Sequence, residues 1–174
     1  MAFEIRRVVT GHDAEGNAII RQDDIVKSQD RLPGYQAMTV WCTSELPANN
    51  QEEAFNNGEP GPKGQRVLMR IGEMQPDGRR SSLMHRTETL DYAVILAGQC
   101  DMELDNGEMI RGLKTGDVVI QRGTNHEWIV KGPAPVRFLF VLIDSEPVRI
   151  GDRVLGDALE NLGGKISPMP SSGQ

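Results

Sequence analysis

Strand-length apolar runs recur roughly every 8–12 residues along this chain, each closed by a turn signal, and that rhythm most restricts its fold. Gln65 to Met74 (QRVLMRIGEM) sets Val67, Met69 and Ile71 on one face and Arg66, Leu68 and Arg70 on the other, and Gln75-Pro76-Asp77-Gly78 ends it. Strands are expected again at Asp91–Leu96, Cys100–Leu104, Glu108–Leu113, Val118–Gln121 and His126–Val130. Between them stand Ala97-Gly98, the tight hairpin signal Asp105-Asn106-Gly107, and the turns Lys114-Thr115-Gly116-Asp117 and Arg122-Gly123-Thr124-Asn125. Val136 to Ile143 (VRFLFVLI) is the most apolar run and is expected to be a central core strand. The pattern implies an all-β protein built as an antiparallel sandwich or barrel. Nineteen glycines and ten prolines spread over 174 residues supply the turns such a fold needs.

The flanks extend this frame. Phe3–Thr10 and Ala18–Arg21, joined by the turn GHDAEGN, predict an N-terminal hairpin. Gln22 to Arg31 is polar and charged and reads as a loop or one helical turn, and Tyr35–Thr43 resumes as a strand. Ser44 to Gly64 mixes Asn, Glu, Pro and Gly with almost no apolar content and reads as a mobile loop, a candidate lid. Gly151 to Leu162 carries Val154, Leu155, Ala158, Leu159 and Leu162 at helical spacing before Gly163-Gly164, which predicts a short C-terminal amphipathic helix. The organisation is one domain in three parts: residues 1–64 with N-terminal strands and loop, 65–145 as the barrel, and 146–174 as helix and tail. The hairpin and the helix expose apolar faces (Ile5, Val8, Ile19; Val154, Leu155, Leu159) that need cover, which predicts a homodimer.

A net charge of −6 and the lack of any basic stripe argue against a nucleic-acid partner. No apolar run approaches the roughly 18 residues of a membrane span, and the first residues have no apolar leader core, so a cytoplasmic protein is expected. Cys42 and Cys100 are far apart with no CxxC spacing and read as reduced, partly buried thiols.

Chemistry concentrates in two blocks, Met84–Gly98 (MHRTETLDYAVILAG) and Gly116–Trp128 (GDVVIQRGTNHEW), which carry two of the three histidines. His12 sits in the first turn and reads as solvated. By strand alternation His85 and Thr87 share a face, as do Asp91, Ala93 and Ile95, and His126 and Trp128. Two histidines and a carboxylate in an otherwise apolar interior are costly unless paired or bound to a metal. The set suits a divalent first-row ion. The plainer reading is a polar pocket in which the histidines hydrogen-bond locally and Asp91 bridges to Arg86 or Arg122.

Residues 78–130 resemble the two motifs of the cupin superfamily. Gly78, His85-x-Thr87, Asp91 and Gly98 follow the first motif, in which His-x-His, Glu and Gly are usual. Gly116, Gln121-x-Gly123 and His126 follow the second, with Val130 in the place of its usual Asn. The resemblance implies a cupin-type antiparallel β-barrel, a jelly-roll-like double-stranded β-helix. It also implies a reduced metal site of His85, Asp91 and His126, since Thr87 stands where a second histidine is usual and Asp91 replaces a glutamate. Glu88 is the runner-up ligand, and the ion would be one divalent Fe, Mn or Zn. The implied function is an enzyme acting on a small organic metabolite, of decarboxylase, dehydratase, isomerase or dioxygenase type. The substrate-facing residues would be Thr87, Tyr92, Gln121 and Trp128, with Arg70 for a substrate carboxylate. Tyr92, opposite in parity to Asp91, also reads as a rim residue. The alternative is a non-catalytic cupin that binds or senses a small ligand.

Overall fold

A computed structural model describes residues 2–43, 45–51, 62, 64–76 and 83–158. All its regular elements are strands: β1 (Glu4–His12), β2 (Ala18–Lys27), β3 (Gln29–Leu32), β4 (Tyr35–Cys42), β5 (Val67–Met74), β6 (Thr89–Ala97), β7 (Gln99–Leu104), β8 (Met109–Lys114), β9 (Val118–Arg122), β10 (His126–Ile129), β11 (Val136–Asp144), β12 (Val148–Ile150) and β13 (Arg153–Leu155). Two antiparallel sheets build the body. One has the order β3-β4-β5-β11-β6-β9, the other β10-β7-β8, and β1-β2 and β12-β13 are separate hairpins. From β6 onward the chain shuttles between the sheets, β6 in the large one, β7 and β8 in the small one, then β9, β10 and β11 alternating.

The core lies between the two sheets because each strand offers every second side chain to it. Ala93 and Ile95 of β6 and Val136 and Phe138 of β11 meet Cys100 and Met102 of β7, Leu113 of β8, and Trp128 of β10. β11, the most apolar run, is central, pairing with β5 on one side and β6 on the other. Both cysteines are buried and unbridged. At the β6–β7 corner Gly98 has φ of 83°, and a Cβ there would stand 2.6 Å from the Pro135 carbonyl oxygen, so the close turn requires glycine.

Two expectations need correction. Gln22 to Arg31 is neither loop nor helical turn: β2 continues to Lys27, and β3 spans Gln29–Leu32. Cross-strand ion pairs hold this polar extension in register, Arg6 with Asp23 at 2.6 Å and Arg7 with Asp24 at 2.5 Å, where apolar alternation is absent. The C-terminal helix is not formed over 151–158. Val148–Ile150 and Arg153–Leu155 make a hairpin, and Ala158 bridges to Arg86. Isolated helices of this length are marginal, whereas the backbone of Arg86 offers a pairing edge. Residues 159–162 of that expectation, and residues 44, 52–61 and 63 of the 44–64 loop, lie outside the described residues, as does Gly78.

β3 and β4 are members of the large sheet, β4 pairing directly with β5. The hairpin β1-β2 joins the body through Arg7, whose Nη1 donates to the Val40 carbonyl at 3.1 Å. Asp144, at the end of β11, accepts hydrogen bonds from the Gly64 and Arg66 amides and from Arg66 Nε, fastening the start of β5 to the end of β11.

Candidate functional site

His85 and His126 come together through the backbone. The His85 amide donates to the His126 carbonyl at 3.0 Å and the His126 amide donates back at 2.9 Å, an isolated antiparallel bridge. Directly bridged residues project to the same face, so the rings stand side by side with centroids 4.5 Å apart. Each Nδ1 lies beside the carbonyl two residues earlier, Leu83 O at 2.7 Å and Thr124 O at 3.0 Å. A carbonyl only accepts, so each Nδ1 carries the hydrogen, and on a neutral ring Nε2 keeps the lone pair. Burial pushes the His126 pKa down to about 4, and charge on His85 acts in the same direction. His126 is therefore a neutral base throughout the physiological range.

Asp91 is 5% exposed and sits on β6 directly opposite Gln121 of β9. Burial raises its pKa above the ordinary carboxylate range, while a hydrogen bond with Thr89 and the charges of His85 and Arg70 pull the other way. Its Oδ1 is buried without a hydrogen-bond partner. Thr87 and Thr89 share a hydrogen bond of 2.7 Å between hydroxyls. A polar file of Thr87, Thr89 and Asp91 thus runs into β6, with every second residue on the inner face.

Gln121 is buried and its amide points at Met102 Sδ, 3.8 Å away. Trp128 lies edge-on to His126, with centroids 6.1 Å apart, and packs on Phe138 at 4.9 Å. Phe138 in turn stacks on Phe140. The histidines therefore adjoin an aromatic wall. Tyr92 stands on the opposite face of β6 from Asp91 and is 39% exposed, outside this group. The Glu88 carboxylate lies toward Gly156, its Oε1 3.3 Å from where a Cβ at that glycine would stand. Arg70, on β5 across from Phe140, faces the interior, and its charge reaches Asp91.

Two residues the sequence did not single out belong to the same interior. Arg31 and Tyr35 each interact electrostatically with Arg70. No motif marks them, and only the pairing of β3 and β4 with β5 brings them in. A separate open depression of about 410 Å³ lies past the end of β6, lined by Gly98, Gln99, Lys114, Thr115 and Gly132–Ala134. It touches none of the histidines or acids above, so its chemistry is poorer.

As a metal site the donor set is incomplete. The two imidazoles offer Nε2 lone pairs, and Asp91 has one unpartnered oxygen. The Thr87 hydroxyl is engaged by Thr89. Among the described residues no three His, Cys, Asp or Glu side chains are grouped closely enough to hold an ion.

No protein-family model matches the chain. The chain is 37% identical over 166 residues to phomopsin biosynthesis cluster protein C' of Diaporthe leptostromiformis, spanning 86% of this chain and 84% of that protein. It is 34% identical over 166 residues to the cupin-domain-containing oxidoreductase fogC of Aspergillus ruber, spanning 90% and 80%. A solved structure, the polyketide cyclase RemF from Streptomyces resistomycificus, superposes with a TM-score of 0.47 at 19% identity over 73% of this chain and 82% of that one. At this identity to cupin-domain proteins, over nearly the whole chain, the protein belongs to the cupin superfamily.

Proposed function

We propose that this cupin binds a small organic metabolite inside a jelly-roll-like barrel and rearranges it by proton transfer, beside His85, His126 and Asp91. The observation that carries the reading is the paired fixing of both histidines, each Nδ1–H held by a carbonyl so that Nε2 is the reactive nitrogen. His126 stays neutral and so accepts a proton at Nε2 from a bound carbonyl or enol compound. Asp91, which burial keeps protonated to higher pH than usual, is the natural donor on the return path. Trp128, Phe138 and Phe140 keep water from the reacting atoms, which strengthens each polar contact there. Isomerisation, dehydration and decarboxylation are the reactions this set serves. A divalent Fe, Mn or Zn ion would find two donors here, the Nε2 atoms of His85 and His126, with Asp91 not grouped closely enough to be the third, and it would supply a Lewis acid for a substrate oxygen. Relatives named for biosynthetic clusters and as cupin-domain oxidoreductases support a metabolite as substrate.

The test is elemental analysis of protein purified without added metal, together with turnover assays on carbonyl metabolites. A stoichiometric ion that is lost in His85→Ala supports the metal-bound form. Turnover that disappears in His126→Gln with no metal present supports proton transfer alone. Neither metal nor turnover leaves the second reading, a cupin that binds without converting. The engaged Thr87 hydroxyl and the lack, among the described residues, of a three-ligand group favour that second reading.

A further inference from the structure

Arg31, Tyr35 and Arg70 form a second polar group in the interior, and their placement follows from register. Directly paired residues project to the same side of a sheet. Thr39, Arg70, Phe140 and Ala93 make one such row across β4, β5, β11 and β6, and Ala37, Gly72, Phe138 and Ile95 make the next. Ala93, Ile95 and Phe138 belong to the core, so this is the inner face and Arg70 points into it. Tyr35 is two residues from Ala37 on the same face. Its ring lies over Gly72 so closely that a Cβ there would be 2.5 Å from the phenol oxygen. The phenol thereby reaches along the sheet to Arg70, with which it hydrogen-bonds, and Arg31 approaches both.

The Nε of Arg31 and the Nε of Arg70 are both buried without a hydrogen-bond partner, and among the described residues neither arginine has a salt bridge. Two like charges held side by side repel unless an anion stands between them. Asp91 couples to Arg70 by charge but forms no salt bridge with it among the described residues.

We propose that Arg31, Tyr35 and Arg70 bind the carboxylate of an aromatic or otherwise apolar-bodied organic acid. The edge of a guanidinium that includes Nε matches a carboxylate with two parallel hydrogen bonds, and the Nε is unpartnered in both arginines. The phenol adds a third donor. Phe140, cross-strand from Arg70 and stacked on Phe138, supplies an apolar surface for the body of the acid. This assignment rests on the reading above that a metabolite occupies the interior, and it makes that metabolite an acid oriented with its far end toward His85 and His126.

The test is titration of the whole protein with benzoate, with benzamide as the neutral isostere and inorganic phosphate as a second anion. Tryptophan fluorescence and the thermal midpoint serve as readouts. Saturable binding of benzoate is expected, with no binding of benzamide over the same range and weaker binding of phosphate. Arg31→Gln and Arg70→Gln should each weaken benzoate about tenfold or more. Without ligand their melting temperatures should be unchanged or higher, since each removes one of two repelling charges; a purely structural role would lower them. Benzamide binding as well as benzoate, phosphate binding more tightly than benzoate, or a folded Arg31→Gln that binds benzoate like the parent would each overturn the proposal. His126→Gln separates the two readings. Benzoate binding that survives there, in a protein without turnover or metal, keeps the carboxylate site while the catalytic reading falls. His126-dependent turnover in a protein blind to benzoate does the reverse.

Discussion

His85 and His126 are joined by two reciprocal backbone hydrogen bonds of 3.0 and 2.9 Å, with their rings 4.5 Å apart. Neighbouring imidazoles disfavour a second positive charge, and burial disfavours any. His126 is therefore sensitive to acid.

That sensitivity has a definite sign. The folded-state pKa of His126 is about 4, below the ordinary value of 6.5, so between those pH values the unfolded chain binds more protons. Stability is full above about pH 6.5 and falls as the pH drops toward 4, by on the order of 3 kcal/mol from this group. Urea melts from pH 8 to pH 4 should show the loss, and His126→Gln should flatten it. An unchanged slope in that variant would assign the acid sensitivity elsewhere.

Asp91 works in the opposite sense. Its folded pKa is raised, so its contribution is fully present below the unfolded value of 3.8 and is lost as the pH rises through the folded value. Asp91→Asn removes the need to bury an ionised carboxylate and should raise the melting temperature at pH 8 more than at pH 4. Equal effects at both pH values would mean the group is not strained by burial.

Asp144 holds three donors at once, the Gly64 and Arg66 amides and the Arg66 guanidinium. Asp144→Ala leaves them unpaired and should cost about 2–4 kcal/mol in chemical denaturation. A loss below about 1 kcal/mol would show that solvent replaces the carboxylate.

Gly72 is required by the ring above it. Gly72→Ala would set a Cβ 2.5 Å from the Tyr35 hydroxyl and 2.7 Å from its ring, so the ring must move. The expected cost is about 1–3 kcal/mol, together with weaker benzoate binding because the phenol leaves Arg70. Retained binding in a destabilised variant would separate Tyr35 from the carboxylate site.

We propose that the protein is a homodimer. On the N-terminal hairpin Val8 and Ile25 face outward, and on the C-terminal hairpin Ile150 and Val154 do. Val118 and Ile120 on the edge strand β9 add a further apolar face, with Tyr92 paired to Ile120. Light scattering on the size-exclusion peak should give twice the chain mass. A mass of one chain at micromolar concentration would rule the dimer out.

The antiparallel all-β fold was legible in the chain because strand alternation and turn chemistry are local, and β4 to β11 arise close to where the pattern places them. The meeting of His85 and His126 was legible too, since few polar groups interrupt an apolar interior. The segment 151–158 was not. Val154, Leu155 and Ala158 suit a helix and a strand alike, and the choice fell to Arg86, whose free backbone edge pairs with Ala158. Gln22–Lys27 carries no apolar alternation, and ion pairs with β1 made it a strand. The sequence by itself determined the strands, the turns and the histidine-bearing blocks. Tertiary structure alone decided that Arg31 and Tyr35, far from either block, stand beside Arg70, because register across β3, β4 and β5 is a non-local property that no short window contains.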